Sequence, residues 1–126
     1  MKLTTFSIIW ALIHFAFGIG LLIFPVSFMS QFGVTLDNSG MLPAQTLGSV
    51  FTALAMIYYW NRNIPATDIA QHHILLGSFI FHIVEMPVVV MATLNGPMNS
   101  MGWMPVSLHI FLAVTFGYFA FKKSDS

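Results

Sequence analysis

The chain has 126 residues, 57% of them hydrophobic and only 6% charged, with a formal net charge of zero and no cysteine. A water-soluble domain carries roughly 25% charged residues, so a surface built from this composition faces mostly lipid. Without a basic stripe there is nothing to neutralise phosphates, which argues against nucleic acid as a partner. Without cysteine there are no disulfides, thiolate zinc sites, iron–sulfur clusters or thiol nucleophiles. At this length one integral membrane domain, residues 1–126, is expected.

Four apolar runs follow in chain order, at about 4–24, 43–60, 69–94 and 101–121. Each is close to the ~20 residues that cross ~30 Å of hydrocarbon at 1.5 Å per residue. In lipid every backbone N–H and C=O of an open segment must be satisfied within that segment, so the runs are helices. The fold class expected is all-α: a four-helix transmembrane bundle, up-down-up-down. The first run is long for a signal sequence and is not closed by a small-x-small cleavage site, so it reads as a retained span. Pro25 ends it. The segment that follows, with Phe24, Phe28, Met29 and Phe32, is expected to lie along the outer interface. Pro43 is expected at the start of span two and Pro65 in the loop after it, Asp68 as the N-cap of span three, and Pro87 as a kink within it. Asp37-Asn38-Ser39-Gly40 reads as turn chemistry.

Lys2, Arg62, Lys122 and Lys123 all fall on one side of such an arrangement, while the opposite loops carry only Asp37. The positive-inside rule then puts both termini in the cytoplasm. Tyr58, Tyr59 and Trp60 at one level and Trp103 at the other fit interfacial aromatic belts.

Helix–helix contacts in membranes select small and polar residues, and each run has such a stripe. Span one gives Thr4, Ser7, Ala11, His14 and Gly18; span two gives Gln45, Gly48, Thr52, Ala55 and Tyr59. Span three gives Gln71, Leu75, Ser78, His82, Glu85, Val89 and Ala92; span four gives Gly102, Val106, His109, Ala113, Phe116 and Ala120. Glu85 is the only acid inside any run. An intramembrane carboxylate costs on the order of 2–4 kcal/mol on insertion scales and is usually paired and functional. Counting from the span centres places His14, His82, Glu85 and His109 in one layer of the core, with Thr52 near the same depth.

That layer supports several readings. The polar groups can serve as interhelical glue in a structural subunit of a larger membrane complex. They can also handle protons for a lipophilic ligand such as a quinone, with Gln45 and Thr52 as further candidates, since a Glu–His pair can exchange protons near neutral pH. Alternatively, His14 and His82 could ligate haem, or His82, Glu85 and His109 could hold a metal as a two-His-one-carboxylate set. Met98, Met101 and Met104 form a separate Met-x-x-Met-x-x-Met set of soft donors suited to copper(I); the plainer reading is apolar filler. His72 and His73 read as interfacial polar residues. No Walker, Gly-rich or Ser-His-Asp pattern is present, so no reaction is assigned. The bilayer is the expected environment, with a membrane protein partner or a second copy of the chain as possible company.

Leu22-Ile23-Phe24-Pro25, Phe32-Gly33, Gly40, Ala44-Gln45, Gly48 and Trp60-Asn61-Arg62 together resemble the first two-helix half of the DoxX-like small bacterial membrane proteins and their relatives. Those relatives commonly carry an Arg where this chain has Gln45. The resemblance covers about half the chain. It implies a bacterial inner-membrane protein and, as in some members, an accessory role beside quinone-linked redox enzymes. It assigns catalysis to no residue.

Overall fold

The computed structural model describes residues 1–122, so Lys123, one of the four basic residues used for orientation, lies outside the described residues. The fold is all-α, with no strand among the described residues. In chain order the helices are α1 (Leu3–Ile23), α2 (Pro25–Gln31), α3 (Asn38–Trp60), α4 (Ile69–Leu94) and α5 (Trp103–Phe121), with one 3₁₀ turn at Ser100–Gly102 before α5. The four long helices are each long and apolar enough to cross a membrane. They form two compact units, the first over Met1–Asn63 and the second from Ile64 onward.

The first unit is an antiparallel pair, α1 against α3, with α2 in the connection. The glycines set its spacing. A Cβ on Gly48 would lie 2.8 Å from the carbonyl oxygen of Gly18 and 2.9 Å from Leu22 N, so the two backbones touch there. A Cβ on Gly18 would in turn meet Thr52 Oγ1 at 2.5 Å. Such close approach is the usual way apolar helices associate where the solvent offers no hydrophobic drive. Pro25 cannot donate a backbone hydrogen bond, and α1 stops just before it. Gln45 Nε2 then donates to Leu22 O at 3.2 Å, satisfying a carbonyl at the end of α1. The short α2 closes with a Schellman pattern, Val34 N to Met29 O at 3.1 Å and Gly33 N to Ser30 O at 3.0 Å. Gly33 has φ 82°, which suits a residue without Cβ.

Two sequence expectations fail here for local reasons. Helix α3 begins at Asn38, five residues earlier than the apolar run, so Pro43 lies inside it rather than at its start. The cause is the cap: Asp37 accepts from Gly40 N at 2.8 Å and from Ser39 Oγ at 2.6 Å, which starts the helix ahead of Pro43. The stretch read as a turn is thus a helix start. The segment after Pro25 forms α2, and part of it packs on its own unit. Phe28 packs on Phe17, with ring centroids 5.2 Å apart, and Phe32 is buried, whereas Phe24 is exposed.

The second unit is an antiparallel pair of α4 and α5. Asp68 caps α4 as expected, accepting from Ala70 N at 2.9 Å and Gln71 N at 3.3 Å. Helix α4 continues through Pro87 to Leu94. Gly102 fits against Thr93, where any side chain would strike the Thr93 hydroxyl, and Gly117 leaves room for the Phe79 ring. The inward stripes largely match the sequence pattern: Ser7, Ala11, His14 and Gly18 on α1, Gln71, Leu75, Ser78, His82 and Val89 on α4, and Val106, Ala113, Phe116 and Ala120 on α5 are all buried. The α3 stripe departs at its last member. Tyr58 is buried and Tyr59 is 45% exposed, and Tyr58 meets the His14 ring of α1 at 5.3 Å between centroids. Tyr58 therefore belongs to the core and not to the aromatic belt, while Tyr59, Trp60 and Trp103 are exposed.

Candidate functional site

The sharpest chemical feature of the second unit joins its two helices. His82 on α4 is 1% exposed, and its Nδ1 lies 2.9 Å from Nδ1 of His109 on α5. Two imidazolium ions cannot make this bond, because each would present a hydrogen there. One ring must donate Nδ1–H and the other must accept on a bare Nδ1. In the neutral pair the donor ring then carries no hydrogen on Nε2, whereas the acceptor ring carries one. The pair thus offers one basic and one acidic ring nitrogen at its two far ends.

Aromatic rings fix this geometry. Phe116 stacks on His82 at 5.5 Å between centroids and 17° between planes. Phe81 meets both imidazoles, at 5.1 Å from His82 and 6.0 Å from His109. The rings keep water off the Nδ1–Nδ1 bond and restrict rotation of either imidazole. His109 is half-buried, so its side of the pair is the more accessible.

The Nδ1–Nδ1 separation also bears on metal binding. Two imidazole nitrogens on one tetrahedral metal at 2.0–2.1 Å stand about 3.3 Å apart, so 2.9 Å suits a shared hydrogen better than a shared ion. Among the described residues no group of three or more His, Cys, Asp or Glu side chains could hold a metal ion. Glu85 is half-buried rather than buried, and among the described residues it makes no hydrogen bond or ion pair. It follows His82 by one turn, but a three-residue step around α4 swings it partly out of the packed stripe.

The remaining candidates are placed as follows. His14 lies in the first unit and is 3% exposed. Its Nδ1 donates to Trp10 O at 3.3 Å, and its ring sits edge-on to Trp10, Phe51 and Tyr58. Gln45 is engaged with Leu22 O, and Thr52 Oγ1 donates to Gly48 O at 2.9 Å. Both therefore hold backbone carbonyls of the α1–α3 pair. Met98 receives a weak contact from Thr93 Oγ1 at 3.9 Å, while Met101 and Met104 are exposed. His72 and His73 stand at the start of α4 with ring centroids 6.0 Å apart. The direct His82–His109 bond was not legible in the sequence. The signals for it were that both residues fall on inward stripes of consecutive spans and that counting from the span centres puts them in one layer.

Outside the spans, Asp37 is held below the usual carboxylate range, first by the Ser39 hydroxyl and then by the Gly40 N–H. Comparison of the chain with protein-family models, with curated proteins and with solved structures returned no match in any of the three.

Proposed function

We propose that this small membrane protein uses the His82–His109 pair to pass a proton to or from a lipophilic ligand of the quinone type, as a binding or accessory subunit in a bacterial inner membrane. The observation that carries this reading is the 2.9 Å Nδ1–Nδ1 contact between a buried and a half-buried imidazole. A proton arriving at the bare Nε2 of one ring makes it an imidazolium. The hydrogen on Nδ1 crosses to the second ring, which releases its own Nε2 hydrogen. One proton enters, one leaves, and the two tautomers are exchanged. The Nε2–H end is a donor suited to a quinone carbonyl oxygen, and the bare Nε2 end is an acceptor suited to a quinol hydroxyl. Glu85, half-buried one turn along α4, is the second proton carrier in this reading.

The resemblance of the first half to DoxX-like proteins, some of them accessory to quinone-linked enzymes, points the same way. The placing of Lys2, Arg62 and Lys122 supports cytoplasmic termini. The test is a titration of the ¹⁵N-histidine-labelled protein, in mild detergent, with a short-chain ubiquinone. The ring nitrogens of His82 and His109 should move, those of His72 and His73 should not, and His109→Phe should abolish the response at His82. Equal movement at all five histidines, or none, would overturn the reading.

A further inference from the structure

We propose that the Gln71 carboxamide holds a buried water molecule on the inward face of α4, and that this water begins the route by which protons reach the His82–His109 pair. The proposal rests on the proton-handling reading above.

Gln71 is 3% exposed, and its Oε1 is buried with no hydrogen-bond donor among the described residues. Its backbone N–H is already committed to Asp68 Oδ1, so helix capping does not account for the side chain. Turning the amide over would put its NH₂ group in the same place and leave a donor unsatisfied instead. A group that both donates and accepts suits either orientation, and water is the smallest such group. Buried polar groups in native proteins almost always find a partner, in protein or in ordered water.

The place of Gln71 gives that water a use. Gln71, Leu75, Ser78 and His82 form one row along α4, and all four are buried. The rise from Gln71 to Ser78 is about 10 Å and from Ser78 to His82 about 6 Å, so the three polar side chains follow one another along one face of the helix. Ser78 donates its hydroxyl to Ile74 O at 2.7 Å, which fixes its oxygen on this row. Leu75, 1% exposed, is the one apolar member of the row. Asp68, His72 and His73 stand at the start of the helix, at the Gln71 end of the row.

The test uses the full chain in detergent micelles, labelled with ¹⁵N-histidine, and reads solvent exchange of the ring N–H groups of His82 and His109. Gln71→Leu removes the water's anchor and keeps the size. Exchange should slow by about tenfold while the Nδ1–Nδ1 bond persists, the loss expected from one missing hydrogen bond on the route. Unchanged exchange with the bond intact would overturn the route and leave the histidine pair standing. Loss of the bond in the unmodified protein would instead defeat the underlying reading. Should the variant not fold, the unmodified protein still decides. A nuclear Overhauser contact between the Gln71 carboxamide hydrogens and a long-lived water is expected, and its absence would overturn the proposal.

Discussion

Replacing the two histidines singly and together separates a bond from a mere coincidence of buried rings. Phenylalanine is the suitable replacement, since it keeps a ring against Phe81 and Phe116 and removes both nitrogens. His109→Phe leaves Nδ1 of His82 without its partner at a position 1% exposed, and a stranded buried polar group costs about 1–3 kcal/mol. His82→Phe strands His109, which is half-buried and can recover a partner from its surroundings, so the cost should be smaller. With both replaced, no polar group is left behind and the stacked arrangement remains. The double variant should therefore be more stable than the sum of the singles implies, by about 1–2 kcal/mol, the upper range for polar pairs between membrane helices. Reversible unfolding in mixed detergent micelles, followed by tryptophan fluorescence, measures all four corners of the cycle. Costs that add to within about 0.5 kcal/mol would refute the bond.

Other consequences are as definite. Gly48→Ala puts a Cβ 2.8 Å from Gly18 O and forces α1 and α3 apart, costing about 1–3 kcal/mol in the same unfolding assay. Gly77→Ala, whose Cβ meets nothing within 4 Å, should be neutral or stabilising by up to about 1 kcal/mol, and equal effects at the two sites would contradict the packing. The Asp37 carboxyl is held below its usual value, so the cap it makes is fully formed above about pH 4 and is lost as pH falls through the lower folded value. The protection factor at Gly40, taken against the intrinsic exchange rate at each pH, should therefore hold from neutral pH down to about 5 and fall only below about 4, in contrast to a loss near pH 6. Protein purified without chelators should carry no stoichiometric iron or zinc, by elemental mass spectrometry. One such metal per chain, lost in His109→Phe, would mean that His82 and His109 are ligands and not hydrogen-bond partners.

Much of this was legible in the sequence because lipid makes a simple demand. Four apolar runs of spanning length leave helices as the only solution, and small or polar residues at helical spacing mark the faces that pack. That logic placed Ser7, His14, Gln71, His82 and Phe116 inward. It erred where a local contact overrode the pattern. The Asp37 cap drew α3 five residues back past Pro43. Tyr58 and not Tyr59 packs against the His14 ring. The site was less legible than the fold, because stripes fix which face a side chain lies on but not the register between helices to within a hydrogen bond. Glu85 illustrates the gap. Its charge made it the most conspicuous residue in the runs, yet it is half-buried, and the direct contact is between His82 and His109. Gln45 and Thr52 show the converse, since polar residues on an inward stripe are used here to hold backbone carbonyls.

The most direct measurement is the scalar coupling between the two Nδ1 nuclei across the hydrogen bond, in ¹⁵N-histidine-labelled protein in detergent micelles. A resolved nitrogen–nitrogen coupling linking His82 to His109, lost in either phenylalanine variant, is the predicted result. Two uncoupled imidazoles, each with its own tautomer and unaffected by replacement of the other, would contradict the account at its centre.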